Sequence, residues 1–251
     1  MIFLIYIILV VCPVLLWLWF FRYKDRWEPE PFSLIIKLIL IGGVLAIIFS
    51  VIFEYMTDDF LLGDYNISSY IDDKESLNVP FLFVLASIFL AVVVEEVVKY
   101  IFLAHKVYYA SSFNQIKDGV IYGMSMGLGF AFFENTLYFV NAILDGGGLA
   151  DLSVLAFARS LGPLFMHIVT VGIVGLYMGK KKFSKTHKNS LIVQGLLIAI
   201  SIHFVYNSIV VFFESFIPAI LIVVAGLIYL LTEIAKNKNR MVWKLVRTKS
   251  D

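Results

Sequence analysis

Seven stretches of this chain run for about 18 or more residues with hardly a charge, the length at which an α-helix crosses a hydrocarbon core of about 30 Å. That feature leaves few options. Inside lipid every backbone N–H and C=O must find its partner within the protein, so only helices and closed barrels span a bilayer, and blocks of this length are helices. Spans are predicted over residues 2–21, 33–55, 79–104, 119–143, 154–179, 190–213 and 218–234. Composition agrees: 61% of residues are hydrophobic and 16% charged, against about half and a quarter in soluble domains. The expected fold is an all-α polytopic membrane protein, a single transmembrane domain over residues 1–251. The first block lacks the basic leader and small-residue cleavage site of a signal peptide, so it reads as a retained helix.

Loop charge sets the orientation. "RYKDRWEPEP", "HKVYYASSFNQIK", "KKKFSKTHK" and the tail "KNKNRMVWKLVRTK" hold nearly all the Lys and Arg. "MTDDFLLGDYNISSYIDDKES" is acidic, and "DGGGLADLS" has no basic residue. The positive-inside rule therefore predicts an outside N-terminus and a cytoplasmic C-terminus. The basic tail reads as a solvated end obeying that bias, with contact to anionic headgroups as the alternative. A net charge of +1 offers nucleic acid no basic surface, and the single Cys12 leaves no intramolecular disulfide. The sequon at Asn66 is expected by chance alone.

Against this apolar background the polar residues fall at one depth. In "AVVVEEVVKYIFLA", Glu95, Glu96 and Lys99 lie some 16 residues into the third span. Each costs roughly 2.5–3.5 kcal/mol at the centre of a spanning helix. Glu134 and Asn135 sit at similar depth in the fourth span, Arg159, Pro163 and His167 in the fifth, and His203 with Asn207 in the sixth. Residues four apart share a helix face. The faces read Ser87, Ala91, Glu95, Lys99, then Gly119, Gly123, Gly127, Ala131, Asn135, then Gly195, Ala199, His203, Asn207. Small residues let membrane helices approach closely, so these faces should meet inside a bundle formed by spans three to six. The first, second and seventh spans read as scaffold.

Two adjacent glutamates exceed what one lysine neutralises, so one of Glu95 and Glu96 is a candidate general base and Lys99 its partner. Glu134, His167 and His203 supply two imidazoles and a carboxylate, the donor types of many catalytic zinc sites. No local H-E-x-x-H spacing is present, and a metal-free site in which Glu and His polarise a water is equally consistent with these residues. Arg159 either pairs with a carboxylate or stabilises an oxyanion; Pro163 bends its helix. Asn135 and Asn207 either orient neighbours or bond across helices.

These same pieces resemble the PrsW family of intramembrane proteases, a branch of the superfamily that includes the CAAX prenyl endopeptidases. The resemblance runs through "YKDRWEPEP", "EEVVK", the F-x-x-x-E-N element from Phe130 to Asn135, "ARSLGPLFMHIVTVG" and "HFVYN". The prenyl branch usually has histidine where this chain has Glu134, and arginine at the end of the paired-glutamate motif, which favours the PrsW branch. The resemblance implies a bacterial membrane peptidase that cuts a single-span membrane-anchored substrate, with anti-sigma factors as the substrate class and cleavage toward the extracytoplasmic side. It carries the catalytic roles to Glu95, Glu96, Glu134, His167 and His203, acting directly on a water or through Zn²⁺. A proton- or ion-coupled transporter and a non-catalytic adaptor or metal sensor are the rival readings. The transporter predicts an internal repeat and paired broken helices, neither of which the sequence displays.

Overall fold

The computed structural model describes residues 1–24, 28–62, 81–184, 188–213 and 216–247. All regular elements among them are helical. Seven are long and apolar enough to cross a membrane: α1 (Ile2–Phe20), α2 (Phe32–Ile52), α3 (Phe81–Val107), α4 (Ile116–Leu144), α5 (Leu149–Phe183), α6 (Asn189–Phe213) and α7 (Ile217–Lys236). Val79, where the third span was expected to begin, and the loop carrying Asn66 lie outside the described residues.

The fifth span is longer than the expected 154–179 because it is two helices in line, Leu149–Leu161 and Pro163–Phe183. The sequence "LGP" causes the break. Pro163 has no N–H to donate back, and Gly162 leaves helical geometry at φ −86°, ψ −81°. Gly162 also admits Tyr206 of α6, whose hydroxyl occupies the space a Cβ would take. Further deviations are π-helical turns at Ile7–Val11 in α1 and Leu38–Gly42 in α2.

The second half of α5 is the centre of the bundle. In the α5 apolar window 83% of residues are buried, against 11% in α1. Lipid offers no hydrophobic drive for this, so close van der Waals contact has to hold the helices together. The glycine stripe of α4 provides it. A methyl group on Gly119, Gly123 or Gly127 would strike the backbone of Gly175, Val171 or His167 respectively. Gly129, on another face of α4, packs in the same way on Ile39 in the π turn of α2, and Gly43 packs on Gly129. Outside this zipper, Val169, Ile173 and Leu176 of α5 pack with Tyr206, Val223 and Leu230 of α6 and α7.

One end of α4 is tied down by polar contacts. Asp118 accepts the backbone N–H groups of Asn114 and Gln115 at 2.9 and 2.6 Å. Tyr122, bonded to Ser112 at 2.7 Å, donates to the buried Glu30, and Gln115 and Asn114 donate to Glu28. The segment "EPEP" is thereby stapled to the start of α4.

Because the zipper sets the distance between α4 and α5, Gly127→Val should be severe. The expected loss is at least about 1–3 kcal/mol of overpacking strain, read as a lowered thermal unfolding midpoint in detergent. Gly148→Ala, outside the zipper at φ −73° and facing only the Asp151 side chain at 3.3 Å, should change it far less.

Candidate active site

Five helices bring their polar residues to one cavity of about 520 Å³. Its inner end carries Glu95 of α3, Glu134 of α4, His167 of α5 and His203 of α6. From there it extends toward the start of α3 and the ends of α2, α4 and α6. Ile47, Ser50 and Val51 of α2 line it as well, so the second span, expected as scaffold, forms part of the wall.

Lys99 organises the inner end. It is fully buried, and its ammonium donates to Glu95 Oε2 and Glu96 Oε1, both at 2.9 Å. Spacings of four and three residues put both carboxylates one turn from the lysine, which is why "EEVVK" closes on itself. The same Nζ lies 3.0 Å from His167 Nδ1 and 3.8 Å from the centre of the Phe130 ring. In an apolar slab such compensation is a condition for the charges to exist at all.

The neighbouring glutamates have different surroundings. Glu96 is fully buried, with His203 Nδ1 at 2.9 Å and Thr170 Oγ1 at 3.4 Å from its Oε1. Its Oε2 is buried without a hydrogen-bond partner. Glu95 lines the cavity and retains 7% exposure. Glu134 Oε2 forms an ion pair with Arg159 Nη2 at 3.0 Å and sits 2.9 Å from His167 Nε2. Arg159 also donates to Asn135 Oδ1 at 2.9 Å and lies 3.6 Å from the Tyr138 ring, while Asn135 donates to the Arg159 carbonyl at 3.3 Å. Arg159 is therefore a partner of Glu134. Asn207, one turn beyond His203, lines the cavity.

One expectation from the sequence differs from this geometry. The set Glu134, His167, His203 is not the tight one. Glu95, Glu96, His167 and His203 each offer a ligand atom, and those atoms all lie within 4.8 Å of one another. Glu134 is outside that group, against the other ring nitrogen of His167. The spacing of residues along separate helices gives the depth of each group and not which imidazole edge faces which carboxylate. Thr170, Phe130 and Tyr206 fall inside the motifs that carry the resemblance but had no role assigned, because a threonine and two aromatics in apolar helices do not by themselves indicate chemistry.

The donor chemistry fits a divalent transition ion. Two imidazoles and carboxylate oxygens suit zinc, and the unpartnered Glu96 Oε2 is an oxygen with lone pairs to give. Formal charge points the same way. Among the described residues Glu95, Glu96 and Glu134 oppose Lys99 and Arg159 alone, so with neutral histidines the cluster is one charge too negative for its surroundings.

A model of the PrsW family intramembrane metalloproteases matches residues 30–232. The chain belongs to this family. It is 32% identical to Protease PrsW of Bacillus subtilis (strain 168) over 69% of this chain and 67% of that one. Protease PrsW of Geobacillus kaustophilus is 29% identical over 78% and 76% of the two chains, and that of Clostridioides difficile 29% over 80% and 76%. No solved structure matches the chain. As a PrsW family member with seven spans, the chain is an intramembrane peptidase and a multi-pass protein of the cell membrane. Transport and adaptor readings give way to that membership.

Removing the central ammonium exposes what it holds. Lys99→Met should destabilise the protein by about 3–5 kcal/mol, as when one partner of a buried pair is deleted. The double variant Lys99→Met/Glu96→Gln should recover part of that loss. Thermal unfolding of both proteins in the same detergent checks the order.

Proposed function

We propose that this protein hydrolyses a peptide bond in a locally unwound segment of a single-span membrane protein, with Glu95 as the general base. The observation that carries this reading is the exposure of Glu95 to the cavity beside His167 and His203 while its neighbour Glu96 is sealed off. A general base must reach the proton it removes, and Glu96 is fully buried and does not line the cavity. Glu95 takes a proton from water as the water oxygen attacks the scissile carbonyl carbon. When the C–N bond breaks, the same carboxyl returns that proton to the departing amine.

Glu96, His167 and His203 are the residues that would hold a divalent ion such as Zn²⁺, whose chemistry is to polarise water and the substrate carbonyl. Glu134 would then stay on Nε2 of the His167 ring, fixing its orientation as carboxylates do behind metal-ligating imidazoles, and Nδ1 would pass from the Lys99 ammonium to the ion. Lys99 keeps the two glutamates side by side. Asn207 is the candidate oxyanion donor, since Arg159 is engaged by Glu134, Asn135 and Tyr138.

The substrate class proposed is the membrane-anchored anti-sigma factor, cut toward the extracytoplasmic side. Cavity geometry supports the sidedness. Its lining extends from Glu95 toward the start of α3 and the end of α4, and the loop charges assign those ends to the outside.

Glu95→Gln should lower cleavage of a co-expressed single-span substrate at least about a hundredfold, the usual scale for a general base, with unfolding behaviour close to the parent. Cleavage at the parent rate overturns the assignment. Metal analysis of detergent-purified protein is expected to find about one zinc per chain in the parent and far less in His167→Ala/His203→Ala. Absence of metal from an active parent would leave the water activated by the side chains alone.

A further inference from the structure

The wall of the cavity away from Glu95 contains two polar groups that the chemistry above does not use. Hydroxyls inside apolar helices normally return to the carbonyl four residues back, and Ser125, Thr136, Ser153, Ser160 and Thr232 each do so at 2.7 Å. Ser50 of α2 and Ser87 of α3 are exceptions. Both line the cavity, both are buried, at 2% and 1% exposure, and neither Oγ has a hydrogen-bond partner. A buried hydroxyl without a partner is unfavourable and rare. Two on the adjoining walls of one cavity point to a ligand that completes them.

We infer that Ser50 and Ser87 form a subsite that hydrogen-bonds the backbone of an extended substrate segment, an inference that rests on the protease reading. Ser87 stands eight residues before Glu95 on the same face of α3, about 12 Å along the axis at 1.5 Å per residue. An extended chain covers about 3.3 Å per residue, so it reaches Ser87 three to four residues from the bond being cut. A helix that unwinds in the membrane bares N–H and C=O groups that lipid cannot satisfy, and a serine hydroxyl both donates and accepts. Ala91, between Ser87 and Glu95 on the same face, also lines the cavity and leaves room for a main chain to come close. An acyl chain in the same space would leave both hydroxyls unpaired, which favours peptide over lipid as the occupant.

The test uses a tagged synthetic reporter, one poly-leucine span with a central Gly-Pro pair, reconstituted with the full-length protein in phosphatidylethanolamine–phosphatidylglycerol vesicles. Cleavage kinetics are measured in the active protein, and reporter binding in the Glu95→Gln background. For Ser50→Ala/Ser87→Ala the expected result is a KM raised about tenfold with kcat within about twofold, the pattern of lost uniform binding, and reporter affinity weakened by a similar factor. Ser50→Thr/Ser87→Thr, which keeps both hydroxyls, should recover most of the affinity. Ser208→Ala removes another unpartnered buried hydroxyl that does not line the cavity, and should leave both readouts unchanged.

The subsite is overturned if KM and binding are unmoved in the alanine pair, if the threonine pair is as impaired as the alanine pair, or if the alanine pair changes only the amount of co-purified phospholipid. Binding that weakens in the alanine pair while the parent cleaves nothing would refute the protease reading and leave the subsite standing. Cleavage that proceeds with KM unmoved refutes the subsite alone. A parent that neither binds nor cuts the reporter overturns both.

Discussion

One ammonium held between two carboxylates in the middle of an apolar bundle is the contact on which the rest of the structure depends. Without Lys99, Glu95 and Glu96 would be like charges on adjacent residues of a spanning helix, a combination that hydrocarbon does not tolerate. With it, both glutamates are brought to one edge of α3, and His167 is drawn to the same nitrogen. Compensation remains incomplete by one formal charge even after Arg159 meets Glu134. That residual negative charge is what the proposed divalent ion would offset.

Holding ionic groups within hydrogen-bond distance requires backbones that cannot drift, and the glycine contacts between α4 and α5 supply that rigidity. Gly127 lies directly on the His167 carbonyl, so the histidine is set by backbone contact rather than by its ring alone. The break at Gly162–Pro163 does the complementary work. It frees Arg159 from the helical register of His167, so that the two halves of α5 present a cation and an imidazole to the same oxygen of Glu134. A continuous helix would fix those two side chains eight residues apart, with no freedom to converge on Glu134 Oε2, where both meet.

Much of this was legible in the chain. Apolar block lengths give seven spans, because a bilayer imposes a length that few soluble elements share. The shared depth of Glu95, Glu134, His167 and His203 gives a common polar layer, since charged residues in lipid have nowhere else to go. Two things were hidden. Depth says nothing of rotation about the helix axis beyond which residues share a face, so the exchange of Glu134 for the α3 glutamates around the histidines could not be read. The part α2 plays in the cavity was equally invisible, since Ser50 in an apolar helix looks like any serine that bonds its own backbone.

Glu95 and Glu96 are chemically identical and adjacent, yet a helix turns about 100° between them. That rotation is enough to give one carboxylate to the cavity and the other to His203 and Thr170. A pair of neighbouring glutamates on a strand would face opposite sides of a sheet, and neither could share a lysine with the other. On a helix, residues at i, i+1 and i+4 span an arc small enough for one ammonium to reach both acids and wide enough to separate their environments. The motif can thus give one acid to the cavity and keep the other fully buried without a second element, provided the next helix presents a small or aromatic surface on which Lys99 can rest. Phe130 provides that surface, which accounts for an aromatic residue four positions ahead of Glu134 in a wall otherwise built for polar contact.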